Sequence, residues 1–430
     1  MDHNQNLFDF IAASPTPYHA VAETVRQLQA AGYTALQEAA AWQLEAGKGY
    51  YVTRNGSSVI AFRMPQGEWS GFMMAAAHCD TPCLKVKENA ERADGGYLRL
   101  ATEPYGGMLN HTWTDRPLSV AGRVTVRTEK GLQVKLADLG EACCAIPNVA
   151  IHMNREANKG TALNAATDLL PLFASEEKKG SFTARVAEAA GVKEEDILTC
   201  DLFVYNPQRG VQWGEYISAP RLDDLQCSYA ALSGFLAASA AASIPVCCIF
   251  DNEEVGSTTK QGAAGTFLAD VLERICEAQG LTAGGRRQKL AASFLASCDN
   301  GHAIHPAHPE LRDPNHAVKM NGGVVIKYNA NQKYTTDAVS AALFCILCER
   351  AGVPLQRYAN RADLPGGGTL GNIANTQVSL NTVDIGLAQL AMHSAWETAG
   401  AEDTAHMAAA LTALFSAALT TEEDGSYSVL

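Results

Sequence analysis

Five segments of the chain carry side chains able to hold a divalent cation or move a proton. They are AAHCDTPCLKVK, with His78 and Asp80; SAPRLDDLQCSYAALSGF, with Asp223 and Asp224; FDNEEVGSTTKQGA, with Glu253 and Glu254; SCDNGHAIHP, with Asp299, His302 and His305; and LAMHSAWE, with His393. The Glu253–Glu254 pair says most. Adjacent carboxylates repel one another unless cations or protons compensate. An arbitrary Glu-Glu pair belongs in a solvated loop, but here the apolar run IPVCCIF delivers it, and Gly256 permits close backbone approach. One glutamate can bind a metal while the other faces water as a general base.

The other segments are weaker alone. Asp223 and Asp224 follow a Pro-bounded strand end and open an amphipathic helix, where aspartate also serves as a simple cap. In His78-Cys79-Asp80 the histidine can ligate while the carboxylate orients its ring. His393 lies in DIGLAQLAMHSAWE, read as a mostly apolar helix, where a lone histidine is commonly a packed core residue. His302, His305, His308 and His316 fall in the Pro-rich stretch HPAHPELRDPNH and read as loop structure or interface rather than as ligands. Cys345 and Cys348, in CILC, sit within an apolar helical run with no second pair or nearby histidine to complete a tetrahedral site.

These groups need elements to position them. FDFIAA and YHAVAETVRQLQAAG read as helices, with Gly32 as a stop. YYVTRNGSSVIAFRM is a hairpin pattern around Asn55-Gly56. WSGFMMAAAHCD is a short apolar run ending in polar residues, as a buried strand with functional groups at its carboxyl end would be. From about 85 to 215 the texture becomes short alternating strands with Gly turns. After Ser218 helices and strands alternate again, beginning with a helix from Leu225 to Ala242. The fold class expected is therefore α/β, a mainly parallel sheet sandwiched by helices, formed by 1–84 plus 216–430, with a β-rich domain of 85–215 inserted into it.

Composition narrows the partners. The net charge is −13 over 430 residues, which argues against nucleic acid and anionic membranes. The first residues lack the basic-then-apolar pattern of a secretory signal, and no uninterrupted apolar stretch is long enough to span a bilayer. The 12 cysteines are scattered through apolar segments, as reduced thiols in a cytoplasmic protein are.

Taken in order, His–Asp–Glu-Glu–Asp–His along an α/β chain is the layout of a co-catalytic zinc peptidase, with nitrogen and oxygen ligands that suit zinc. The chain also resembles the aspartyl aminopeptidases and their vacuolar aminopeptidase I relatives, as a bacterial-type member. The resemblance runs through SPTPYHAV, HCDTPCLKVK, YGGMLNHTWTDRPLSVAGRV, IPNVAIHMNR, DLFVYNPQ, SAPRLDDL, FDNEEVGS, SCDNGHAIHP, NHAVKMNGGVVIKYNANQKYTTD, GGGTLGNI and DIGLAQLAMHS. It departs where the family often has threonine at Cys79 and in HTWTDR, neither of which removes a ligand.

That resemblance implies a metal-dependent aminopeptidase releasing single N-terminal residues from peptides. It implies two zinc ions per subunit, with cobalt or manganese suited to the same ligands. His78, Asp223 and Asp299 would hold one, and Asp223 would bridge to a second completed by Glu254 and His393. Glu253 would be the general base and Asp80 the carboxylate orienting His78. His152 would reach the active site of a partner subunit, and Lys327 and Tyr334 would contact substrate. The inserted domain would form dimers, assembling into a tetrahedral dodecamer. The family contains members preferring acidic (Asp or Glu) and neutral (Leu-type) N-termini. Two rivals stand beside this reading: another metal hydrolase on the same frame, such as a deacylase or endo-acting glucanase, and a catalytically idle shell or adaptor protein.

Overall fold

The run Phe72–His78 forms a strand with no exposed residue, and the principal sheet is built around it. In the computed structural model, which describes residues 2–430, this sheet has nine strands. They are β1 (Thr34–Ala35), β2 (Gly49–Arg54), β3 (Ser58–Arg63), β4 (Phe72–His78), β5 (Ile244–Phe250), β6 (Phe294–Cys298), β7 (Val324–Tyr328), β8 (Leu355–Ala359) and β9 (Asn381–Gly386). The spatial order is β1-β2-β3-β5-β4-β6-β9-β7-β8. The centre, β5-β4-β6-β9, is parallel. The pairs β2–β3, β3–β5 and β9–β7 are antiparallel, so the sheet is mixed around a parallel middle. The expected hairpin is β2–β3, and its turn residues Asn55 and Gly56 have φ of 60° and 67°, the double left-handed turn that matches strand twist.

Alternation along β4 explains the layers. Met73, Ala75 and Ala77 enter one core, with the helices His3–Ala12, Pro17–Ala30, Leu222–Ala237, Ala338–Ala351 and Asp403–Phe415. Phe72, Met74 and Ala76 enter the other, under the helices Phe267–Ala278 and Leu370–Gln377. Successive residues of a strand face opposite sides, so a strand covered on both faces reads as a continuous apolar run. Cys348 of the CILC run is buried in the first of these cores.

A second sheet, antiparallel and six-stranded, is built wholly from residues between 83 and 205. Its order is Gly131–Asp138, Ser119–Thr128, Ile197–Tyr205, Cys83–Asp94, Tyr97–Tyr105, Leu172–Ser175. It has its own core, including Leu84, Leu100, Val120, Val124 and Val204, with Phe182 and Val186 of the helix Ser181–Ala190 packed on it.

Two expectations fail. DIGLAQLAMHSAWE is not helical: it comprises the end of β9, the strand Ala388–Leu390, a turn holding His393, and the start of the strand Glu397–Gly400. Gly386 shows why. A Cβ there would lie 1.9 Å from the carbonyl oxygen of Asp299, so the segment lies flat against β6, and sheet pairing overrides its helix-like apolar spacing. The helix expected to reach Ala242 ends at Ala237; Ser243 instead donates to the carbonyl of Ala417 at 2.6 Å, fixing the entry into β5. The strands Ala388–Leu390 and Glu397–Gly400 belong to a five-stranded third sheet that also includes Tyr216–Ala219.

Phe294, fully buried in β6, tests this core. Phe294→Ala is expected to lower stability by about 3–5 kcal/mol, read from the shift of a denaturant unfolding transition. A loss below about 1 kcal/mol would show that this face is not a close-packed core.

Candidate metal centre

Strands β4, β5 and β6 run parallel, so their carboxyl ends open on one edge, the usual place for a ligand site in such sheets. His78 is the last residue of β4, Glu253 and Glu254 follow the turn after β5, and Asp299 directly follows β6. Asp223 arrives at the start of the helix Leu222–Ala237, with non-helical backbone angles of its own. His393 arrives on the turn after Ala388–Leu390, at φ 67°. These six residues, with Lys327 and Tyr334, line one cavity of about 490 Å³.

The donors fall into two sets that share Asp223. His78 Nε2 lies 3.5 Å from Asp223 Oδ1 and 3.9 Å from Asp299 Oδ1. His393 Nε2 lies 3.5 Å from Asp223 Oδ2 and 3.5 Å from Glu254 Oε2. A tetrahedral ion with ligand bonds of about 2.1 Å spaces its ligand atoms about 3.4 Å apart, so these separations suit cations better than direct hydrogen bonds. Asp223 Oδ1 is buried without a hydrogen-bond partner. The chemistry agrees with the geometry, since imidazole nitrogen and carboxylate oxygen are zinc donors.

Both rings are set to present Nε2. The Nδ1 of His78 lies 3.0 Å from the main-chain carbonyl of Asp80, and that of His393 lies 2.9 Å from the carbonyl of Gly107. A carbonyl only accepts, so Nδ1 carries a proton and Nε2 is the nitrogen left for a metal. The Asp80 carboxylate is farther from the His78 ring, at 3.4 Å. It accepts instead from the amides of Glu253 (3.0 Å) and Glu254 (3.1 Å) and from the Tyr105 hydroxyl (2.7 Å). Asp80 thus shapes the turn bearing both glutamates.

The electrostatics call for positive charge. Burial disfavours a protonated His78, yet the carboxylates of Asp223, Asp299 and Asp80 outweigh it and push the imidazole well up. Burial also raises Glu254, reinforced by Asp223. Burial, with the charges of Asp299, Asp80 and Asp223, pushes Glu253 up to about 8. Against burial, Asp299 is held low by Lys327, 3.6 Å away, and by His78. Lys327 stays charged despite burial because Asp299, Tyr334 and Asp384 surround it, and its ammonium donates to the carbonyl of Asn300 at 2.8 Å.

His152 is not brought to this centre. It is exposed on a turn of the 147–168 stretch, away from the cavity of its own chain. His302 lines the cavity, whereas His305, His308 and His316 do not. Two buried acids have roles that sequence reasoning did not assign: Asp224, singled out only as a candidate cation or proton group, and Glu397, not singled out at all. Asp224 accepts the amide of His78 at 3.2 Å and supports that ligand from behind. Glu397 accepts the amide of Asp223 with Oε2 at 3.1 Å and the amide of His393 with Oε1 at 2.7 Å. Its only sequence signal was a glutamate four residues beyond His393 in an otherwise apolar stretch.

Residues 10–415 match the family described as "Aminopeptidase I zinc metalloprotease (M18)". The chain is 42% identical over 424 residues to the "Probable M18 family aminopeptidase 2" of Pseudomonas paraeruginosa, covering 96% of this chain and 97% of that protein. Among solved structures it is similar to the "Cryo-EM structure of the Ape4 and Nbr1 complex", with TM-score 0.93 and 32% identity over 96% of this chain and 85% of that one. It is also similar to the "Structure of S. cerevesiae mApe1 dodecamer", with TM-score 0.85 and 28% identity over 96% of each.

Glu397 fixes two metal-facing residues through their amides, so Glu397→Gln, which keeps shape and removes charge, is expected to weaken metal binding on the order of 10–100-fold. Titration of the apo protein with zinc against a competing chelator measures this. Unchanged affinity would show that the carboxylate does not set the ligand geometry.

Proposed function

Because the chain belongs to the aminopeptidase I zinc metalloprotease family (M18) and is a zinc aminopeptidase, an exopeptidase hydrolase, we propose that it works with two zinc ions per subunit and releases N-terminal residues, acidic ones in preference. One observation carries the metal count: Asp223 turns its two oxygens to two different histidines, each at 3.5 Å. His78, Asp223 and Asp299 would hold one ion, and Asp223, Glu254 and His393 the other. Cobalt or manganese suit the same donors.

Zinc, when bound, supplies Lewis acidity to the peptide carbonyl and to the attacking water. Glu253 accepts the proton that water loses and returns it to the departing amine. It lines the cavity beside the donors but has no place among the close His–carboxylate contacts, which suits a base rather than a ligand. Asp80 and Tyr105 hold the turn that aims it. Lys327 and Tyr334, with the ammonium 5.5 Å from the ring centroid, would receive the first residue, and the ammonium suits an acidic side chain there. The peptide's free α-amine would sit among the carboxylates, restricting the enzyme to chain ends.

The segment 85–215 would be the dimerisation domain. It presents Val149, Ile151 and Met153 to solvent around His152, an arrangement that suits burial against a second copy, where His152 would reach the partner's active site. The dodecamer named for the mApe1 relative supports homo-oligomers of this chain; a tetrahedral dodecamer built from dimers is the assembly proposed. No helix among the described residues is long and apolar enough to cross a membrane. A reducing cytoplasm suits the 12 cysteines, all unpaired.

Purified enzyme with zinc, given peptides differing only at the first residue, is expected to release that residue, and a chelator to stop release. N-acetylated peptide is expected to resist; its efficient cleavage would refute the α-amine requirement. Glu253→Gln is expected to lower kcat by about 10²–10⁴-fold with zinc content retained; near-normal turnover would remove Glu253 from the base role. Lys327→Met is expected to reduce cleavage of an N-terminal Asp substrate far more than a Leu substrate. Equal losses would refute side-chain recognition by Lys327.

A further inference from the structure

His302 and the three histidines of the Pro-rich stretch that follows it share a role in the fold. His302, His305, His308 and His316, out of 11 histidines in the chain, line a second cavity of about 540 Å³, a size suited to a small ligand or a few residues of peptide. It shares His302, Tyr358, Gly367 and Met392 with the metal cavity, so the two adjoin across a common wall. Arg312 and Arg361 also line it, and no aspartate or glutamate does. In a chain of net charge −13, such a wall is a local reversal of sign.

Most of the nitrogen donors here already face a carboxylate. His308 lies 3.2 Å from Glu310, His316 lies 2.8 Å from Asp313, and Arg361 lies 2.8 Å from Asp363. Arg312 is different. Its Nη1 donates only to the carbonyls of Asp313 and Pro314, at 3.3 and 3.0 Å. Its Nε is buried with no hydrogen-bond partner. A guanidinium stays charged and offers paired donors that fit a carboxylate, and a buried donor without an acceptor is costly. Among the described residues no ion pair neutralises Arg312, which lines the cavity.

We propose that this cavity receives the part of the peptide beyond the scissile bond, and that Arg312 there selects a carboxylate side chain on the second or third residue. The inference rests on the placement of the first residue between the metal donors and Lys327 and Tyr334. With that residue fixed, the remaining chain passes the wall of His302 and Met392 into the adjoining space. Acidity is then read at two points, by Lys327 at the first residue and by Arg312 farther along.

The test compares the wild type, Arg312→Gln and Arg312→Lys. Peptides with one favourable first residue carry Asp or its isostere Asn at position two or three, and an anilide of the same first residue has no second residue. In the wild type, kcat/KM for the Asp peptides is expected to exceed that for the Asn peptides by about tenfold, as a charge-assisted hydrogen bond allows. Arg312→Gln is expected to abolish that ratio, chiefly through KM, and Arg312→Lys to restore part of it. Anilide hydrolysis is expected to fall far less than hydrolysis of the acidic peptides. Absence of discrimination in the wild type, or equal losses on the anilide and all peptides in Arg312→Gln, would overturn the subsite. An anilide that the wild type cannot hydrolyse would instead refute the placement of the first residue, and the subsite with it.

Discussion

Carboxylates buried at the carboxyl edge of the sheet are the constraint around which this protein is organised. Asp80, Asp223, Asp224, Asp299 and Glu397 are all buried, and the Glu254 side chain nearly so. Isolated buried charges of one sign are strongly unfavourable. The chain answers with fixed dipoles and a single lysine. Main-chain amides of Glu253, Glu254, Asp223, His393 and His78 point at these oxygens, and Lys327 stands beside Asp299. The oxygens left over, with the Nε2 atoms of two histidines, face one cavity and call for cations. Zinc would complete the fold's electrostatics as well as the chemistry.

The same contacts explain how so dispersed a site is held. Glu397 ties the turn of His393 to the helix start bearing Asp223, and Asp80 ties the end of β4 to the turn after β5. Ser228, on the helix Leu222–Ala237, donates to the carbonyl of His78 at 2.7 Å. Each ligand is thus clamped through its neighbour's backbone. Rigid support of this kind keeps donors in place before metal or substrate arrives. The close fit of Gly386 against Asp299 belongs to the same design, since a side chain there would force the ligand away.

Around this rigid centre the chain distributes recognition. Lys327 and Tyr334 stand on the metal side, and the histidine and arginine wall continues from His302 outward. The six-stranded sheet carries His152 on an exposed turn away from its own chain's cavity. One chain therefore brings both histidine–carboxylate groups together by itself, while His152 stays exposed and apart from them.

Residue types and their order pointed to the chemistry: His78, Asp223, Glu253, Glu254, Asp299 and His393 each have a common structural use alone, but their order along the chain and the family resemblance singled them out. The buried strands were legible too, since β4 and β5 are continuous apolar runs, and so was the hairpin at Asn55-Gly56. What sequence did not determine depends on contacts between distant segments. The strand-and-turn form of 384–397 was hidden because its spacing also fits a helix, and pairing with other strands decided the matter. The roles of Asp80, Asp224 and Glu397 as acceptors of backbone amides were hidden because a carboxylate in sequence carries no sign of which amide it will meet. The adjoining cavity of His302, His305 and Arg312 was hidden for the same reason: charge and spacing are local properties, whereas the space between loops exists only once the chain has folded.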